Sequence, residues 1–445
     1  MSAPDDLAAG LAEVLGAGPV SGLRRLSAGA SRETWAFAVD GRPLVLRRDP
    51  PGVPRPVEMV REAECLRAAA RAGVPVPALV ATGDGTDAVG SPYLVVAWVA
   101  GESLPTRVLR DERWAPARAG LARELGRVLA GIHAVDPAEV PALEELGDPL
   151  AALRTQHDGF GQARPSVEAV LRWLEAHRPP AAGPALVHGD FRHGNLLVAP
   201  DGLAAVLDWE LAHLGDPRED LGWVCVRAWR FGAAPEVGGF GTRDELLAGY
   251  AEVAGEAPDP DAVRWWEIYG CVHWAVICRM QAERHLGGSE QSVEMATLGR
   301  RAVEAEYDAL LALGWVDEAD LEGFADPRAV AVADPAAERP TVDELLGAVV
   351  GFLSDELVPG DDRSRYLSRV ARTALGVARR ELGAAPDPRH RASLDVVGCA
   401  DDAELAAALR RGTLDPDRPE VRTAVRSGTL ARLAVANPRY PFIRP

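Results

Sequence analysis

The run His188-Gly189-Asp190-Phe191-Arg192-His193-Gly194-Asn195-Leu196-Leu197-Val198 restricts what this chain can become more than any other stretch. Asp190 follows His188 by two residues, Asn195 follows Asp190 by five, and an apolar run begins at once. Asp208 lies eighteen residues past Asp190, at the end of a second apolar run, Leu203-Ala204-Ala205-Val206-Leu207. The segment 185–208 therefore reads as short strands, with Asp190 on a loop between strand ends. This is the layout of a phosphoryl-transfer site, in which one carboxylate handles the acceptor hydroxyl while an amide and a second carboxylate hold magnesium.

In that layout Asp190 is the candidate catalytic base. Asn195 and Asp208 are hard oxygen donors suited to magnesium. His188 is expected to brace the loop by hydrogen bonding, and His193 to face solvent. A metal cluster of His188, Asp190 and His193 is an alternative, but it leaves Asn195 and Asp208 without a role. Glu210 is either a further acidic group near the metal or a structural acceptor. Asp216 and Asp220 are expected to hold the following loop and helix start.

The flanking sequence predicts an α+β chain. A leading helix at 5–16 precedes extended segments at 23–28, 33–39 and 43–48, the last two joined at Asp40-Gly41. A helix over 57–72 stops at Gly73, before Val74-Pro75-Val76-Pro77. Strands fit 78–82 and 92–99. Helical spacing then dominates at 114–134, 165–178, 217–230, 243–254, 260–284 and 290–313. These divide into a small mixed lobe, 1–100, and a mainly helical lobe, 101–315. A linker is expected over 316–340. A helical domain of open role follows at 341–445, opened by a capping box at Thr341-Val342-Asp343-Glu344 and continued by helices at 363–382, 402–411 and 417–435.

The net charge of −18 argues against nucleic-acid binding. From residue 336 onward 17 arginines face 16 acidic residues, so the remainder carries −19. No apolar run is long enough to span a bilayer. The acidic start, Met1-Ser2-Ala3-Pro4-Asp5-Asp6, lacks the basic region of a secretory signal. Cys65, Cys225, Cys271, Cys278 and Cys399 show no paired spacing. The expectation is a cytoplasmic protein with neither membrane nor nucleic acid as partner. The sequence has no lysine; all 48 basic residues are arginine.

The run from His188 to Asn195, with Leu207-Asp208-Trp209-Glu210, Gly215-Asp216-Pro217 and Glu219-Asp220-Leu221, resembles the aminoglycoside-phosphotransferase-like family over about residues 20–315. Within it the branch that includes kinase domains fused to acyl-CoA dehydrogenases is most similar. The tail resembles a helical domain that follows some bacterial members. The resemblance implies a two-lobed protein-kinase-like fold with ATP and Mg2+ as cofactors and a C-terminal all-α domain. It assigns Leu26–Thr34 to the loop over the phosphates, with Ser31 and Arg32 as contacts. Arg47 takes the position of the phosphate-pairing lysine, keeping the charge but adding bulk and a two-pronged fork. Its acidic partner comes from Glu58, Glu62 and Glu64, and the family pattern favours Glu62. Val96 and Trp98 belong to the segment that holds adenine, where Ala97 replaces a frequent glutamate. Most of Trp223, Trp229, Trp265, Trp266 and Trp274 are expected in the core, with one or two lining an apolar acceptor pocket.

The implied activity is O-phosphotransfer to a small hydroxylated metabolite, with a hydroxyacyl-CoA in view. A kinase of aminoglycosides or other antibiotics is an alternative, and so is a pseudokinase-like binding or scaffolding module. The tail suits homodimerisation or coverage of the cleft.

Overall fold

The computed structural model describes residues 4–28, 32–317, 340, 345, 346, 348, 349, 352, 361–382 and 387–440. Ser31, the capping box at 341–344 and nearly all of the expected linker lie outside these. The described chain divides into two compact units, Met1–Leu146 with Pro180–Cys225 and Trp229–Val263, and Gly147–Pro179 with Val226–Ala228 and Arg264–Pro445.

The first unit opens with helix α1 (Pro4–Leu15) and strands β1 (Ser21–Ala28), β2 (Glu33–Val39) and β3 (Arg42–Arg48). The β2–β3 turn has Asp40 at φ 50° and Gly41 at φ 76°, the double left-handed geometry of a tight hairpin. Helix α2 (Pro56–Arg71), β4 (Leu79–Asp84) and β5 (Pro92–Ala97) complete a five-stranded antiparallel sheet of order β1-β2-β3-β5-β4. Strand alternation gives the sheet two different faces. Phe37, Val39, Leu44, Leu46, Tyr93 and Val95 pack with Leu7 and Leu11 of α1. Their neighbours Val45 and Arg47, paired in register with Val96 and Leu94, look the other way, toward a cavity. Arg47 thus stands on the central strand, not on an edge.

After α3 (Pro105–Arg110) and α4 (Ala115–His133), the same unit contains β6 (Ala185–Val187), β7 (Leu196–Ala199), β8 (Gly202–Val206) and β9 (His213–Gly215). β6 pairs with β9 and β7 with β8, both antiparallel. Helices α7 (Arg218–Trp223) and α8 (Arg243–Ala254) follow. Helices α4 and α8 meet backbone to backbone. A Cβ on Gly126 would lie 2.0 Å from the Leu246 carbonyl oxygen, and one on Gly249 would lie 1.9 Å from that of Arg123. Gly249→Ala must therefore push the helices apart. It is expected to cost about 2–3 kcal/mol, read as a lower denaturant midpoint at unchanged slope; an unchanged midpoint would contradict the packing.

The second unit is helical: α5 (Pro149–Gly159), α6 (Pro165–Ala176), most of α9 (Pro260–Leu286), α10 (Val293–Ala312), α11 (Asp362–Leu382), α12 (Pro388–Val397), α13 (Asp402–Arg411) and α14 (Pro419–Ala436). Helix α10 packs on α6, α11 and α14. One apolar cluster joins Val293 and Ala296 of α10 to Leu367, Ala371, Ala374 and Val377 of α11.

Helices α3, α5 and α12 escape the periodicity of the sequence. Two of them carry a local start signal, an aspartate cap before proline. Asp148 accepts from the Leu150 amide at 3.0 Å, and Asp387 from the Arg389 amide at 2.8 Å. The helix expected over 217–230 is two pieces, α7 and a 3-10 turn at Arg227–Arg230.

Among the described residues no helix is long and apolar enough to cross a membrane. All five cysteines are buried.

Candidate active site

Asp190 sits on the loop after β6, and a 3-10 turn at His193–Asn195 then returns the chain into β7. Gly189 makes this loop possible. Its φ is 79°, and a Cβ there would lie 2.4 Å from the Leu211 carbonyl oxygen. The loop is braced from beneath by Asp220, which is fully buried. Its carboxylate accepts from the His188 amide at 2.7 Å and the Gly189 amide at 3.0 Å, and His133 lies at 3.2 Å. Burial works to raise the Asp220 carboxyl, but His133 and the His188 amide outweigh it and hold it below its ordinary range. Asp220 therefore supports the Asp190 loop from its place near the start of α7.

His188 performs the bracing role. Its Nδ1 accepts from the Asp190 amide at 3.2 Å, so Nε2 carries the proton and donates to the Leu207 carbonyl at 3.0 Å. That bond ties the Asp190 loop to the residue preceding Asp208.

The Asp190 carboxylate is held by three donors. Arg192 Nε lies 2.9 and 3.1 Å from its two oxygens, Asn195 Nδ2 lies 2.7 Å from Oδ2, and Trp223 Nε1 lies 2.9 Å from Oδ1. The Arg192 guanidinium stacks 4.8 Å over Trp229. Arg192 is thus a site residue outside the sequence expectations, while Trp223 and Trp229 are buried as expected of most of these tryptophans and also support the carboxylate and its arginine. Arg192 stands inside the motif itself, two residues after Asp190, where its type and spacing were available as a signal.

His193 corrects an expectation. It is wholly buried and does not face solvent. Its Nδ1 meets the Gly238 carbonyl at 2.8 Å, and its ring lies 5.0 Å from Phe240 and 5.9 Å from Phe231. Burial pushes its imidazolium down from the ordinary 6.5 to about 4, against the smaller opposing effect of the Gly238 carbonyl. Below pH 6.5 the unfolded chain binds a proton that the folded ring refuses. The contribution is therefore complete above pH 6.5 and is lost as pH falls toward 4. Relative to wild type, His193→Asn is expected to flatten the stability profile across that window, by about 2–3 kcal/mol. Chemical denaturation at closely spaced pH values reads this directly, and parallel profiles would refute it.

A cavity of about 370 Å³ is bordered by Val45, Arg47, Val96, Trp98, Asn195 and Asp208, among others. Arg47 donates to Asp208 Oδ1 at 2.7 Å and to Glu62. Of the three candidate partners, Glu62 is the one that pairs with Arg47; Glu58 lies 3.6 Å from Arg32, and Glu64 accepts from the Ala142 amide at 3.1 Å. Asp208 has φ 65°, a left-handed conformation that a non-glycine residue holds only where its surroundings enforce it. Burial would raise its carboxyl, but Arg47 overrides this and keeps it ionised below its ordinary range.

Arg32 does not point into this cavity's lining. It is 2% exposed and joins Glu62, with Asp49 at 3.3 Å and Glu210 at 3.9 Å. Asp49 also accepts from the Arg55 amide at 2.6 Å. Glu210 therefore has a structural ion-pair role here.

The donor set fits magnesium. Asn195 spends its amide nitrogen on Asp190, which leaves its oxygen as the group for a cation, and Asp208 supplies a carboxylate bordering the same cavity. Two hard oxygen ligands, with water and phosphate oxygens for the rest, is the usual way magnesium is held beside nucleotides. Among the described residues no group of three or more His, Cys, Asp or Glu side chains forms a closed metal site.

Residues 22–266 match the model of a family described as the phosphotransferase enzyme family. Residues 359–440 match a second family, described as a domain of unknown function. The chain is 28% identical over 332 residues to mouse acyl-CoA dehydrogenase family member 10, covering 69% of this chain and 30% of that protein. It is 29% identical over 218 residues to chicken acyl-CoA dehydrogenase family member 11, covering 45% and 27%. It thus spans less than a third of the length of these relatives. In three dimensions it resembles a candidate aminoglycoside phosphotransferase from Ralstonia eutropha, with a TM-score of 0.58 and 23% identity, covering 71% of this chain and 99% of that one.

Proposed function

Because this chain belongs to the phosphotransferase enzyme family, we propose that it moves the γ-phosphoryl group of ATP, with magnesium, to the hydroxyl of a small metabolite, with hydroxyacyl-CoA thioesters as the acceptor class. The observation that carries the reaction type is the arrangement around Asp190: an oriented carboxylate bonded to Asn195, beside a cavity that Asn195, Asp208 and Arg47 share. The acceptor class is supported by the relatives, whose names are those of acyl-CoA dehydrogenase family members.

Asp190 accepts a hydrogen bond from the acceptor hydroxyl and orients its oxygen toward the phosphorus. As the new O–P bond forms and the bond to the β-phosphate oxygen breaks, the hydroxyl proton passes to Asp190 and ADP leaves. Arg192 and Trp223 fix the carboxylate so that little reorganisation accompanies transfer. Arg47, held by Glu62 through one nitrogen, is the cation for the phosphates, which exchange with Asp208 at its other nitrogen. Val45, Val96 and Trp98 offer apolar surface for adenine. Asn195 and Asp208 would hold magnesium, which neutralises phosphate charge when bound.

The deciding measurement is ADP release by the full chain with ATP and magnesium, across hydroxyacyl-CoA thioesters, free hydroxy acids and aminoglycosides. A kcat/KM at least about tenfold higher for the thioesters is expected. Preference for aminoglycosides would replace the acceptor, and nucleotide binding without transfer to any acceptor would replace the enzyme with a binding module.

A further inference from the structure

We propose that the second unit contains a binding site for a small molecule carrying two or more phosphate groups, in the arginine-lined cavity between α10, α11 and the chain after α14. This goes beyond the reaction proposed above, since every residue concerned lies in Arg264–Pro445.

The cavity measures about 970 Å³. Helix α10 lines it with Thr297, Arg300, Arg301 and Glu304, spaced i, i+3, i+4 and i+7, so that one face is turned inward. Helix α11 does the same with Arg369, Arg372, Thr373, Gly376 and Arg380, and Arg439 closes one end. Six arginines border the space, against a single carboxylate, Glu304. Glu304 is already engaged, 2.9 Å from both Arg301 and Asn437 Nδ2. One further acid, Glu381, pairs with Arg300 at 2.9 Å. Among the described residues, no carboxylate pairs with the guanidinium groups of Arg369, Arg372 or Arg439. In a chain of net charge −18, which repels anions at long range, so concentrated a positive site is not a by-product of composition.

The arginines also strain against one another. Arg380 donates to the Val435 carbonyl at 2.6 Å and to that of Ala436 at 3.1 Å, which fixes it at the end of α14. Burial and the nearby charges of Arg300 and Arg439 push its guanidinium below its ordinary value. An anion in the cavity would relieve that repulsion.

Size and chemistry select the ligand. Guanidinium forks match phosphate oxygens in pairs, and an arginine cluster is the usual recognition element for phosphate. The volume stands at the top of the range for small-molecule sites, about 300–1,000 Å³, so a lone phosphate would leave most of it to water. The lining has few apolar side chains, which disfavours a lipid. Nucleotides, the diphosphate moiety of coenzyme A and inorganic polyphosphates share the required chemistry.

The test is calorimetric titration of the full chain with inorganic tripolyphosphate, ATP without magnesium, coenzyme A and inorganic phosphate. Binding is expected for the polyphosphates, at least about tenfold tighter than inorganic phosphate, and weaker at high salt. The tightest of them names the source. Arg369 and Arg372 are exposed, so Arg369→Ser with Arg372→Ser is expected to leave folding intact while weakening binding on the order of a hundredfold. Thr373→Glu, also at an exposed position, is expected to weaken it similarly by placing a negative charge in the cavity. Affinity unaltered in both cavity variants, or no binding of any polyphosphate at millimolar concentration, would overturn the proposal.

Discussion

Asp190→Asn is expected to lower kcat about 10³-fold, within the range that a positioned general base contributes, while nucleotide affinity changes little. The asparagine keeps an oxygen for Arg192 Nε and Trp223 Nε1, which now lie at 2.9 Å from Asp190 Oδ1. It cannot take up the acceptor's proton. The side chain is not among those bordering the nucleotide cavity, which is why the effect separates kcat from binding. Steady-state rates with the best acceptor, alongside nucleotide titration and a melting curve, test all three parts. Undiminished transfer by a folded variant would remove Asp190 from the chemistry.

Glu62→Gln is expected to be the most destabilising single change in the site. Glu62 is 1% exposed and neutralises two guanidinium groups, those of Arg32 and Arg47. Arg32 is itself 2% exposed, so it cannot turn to water when Glu62 goes and is left with Asp49 as its buried carboxylate. Removing one side of a buried pair costs about 3–5 kcal/mol, or roughly 10 °C in Tm for a unit of this size. Glu62→Asp keeps the charge on a shorter stem and should recover part of the loss. That recovery separates an electrostatic origin from simple packing. A loss below about 1 kcal/mol for Glu62→Gln would place the network among the weak surface pairs.

What the sequence reveals depends on how far apart the cooperating residues stand. Asp190, Asn195 and Asp208 are legible because one loop and two short strands bring them together, so their spacing is itself the geometry. Arg47 is legible through the family resemblance, which puts it in the place of the phosphate-pairing lysine, and strand alternation sets it on the face opposite Leu46 and Leu44. Arg32 is different. Reading it as a phosphate contact uses only its place in the loop, whereas its position is set by Glu62 and Asp49, thirty and seventeen residues away. His193 is misread for the same reason, since Gly238, Phe231 and Phe240 that bury it lie some forty residues on. The arginine-lined cavity is the extreme case. The helical spacing of Arg369, Arg372 and Arg380 can be read in α11 alone, but the convergence with Arg300 and Arg439 is a product of packing.

The contact between Arg47 and Asp208 makes the resting site its own placeholder. In the proposed reaction a phosphate arriving at Arg47 does not meet an idle cation; it must win the guanidinium from a carboxylate already bound to it. The exchange leaves Asp208 without its cation at the moment a nucleotide is present, and with it a demand for a replacement positive charge that did not exist before. Anion and cation are thereby made to enter together. Either one alone must break the Arg47–Asp208 pair without replacing it, which is a logical conjunction written in two side chains.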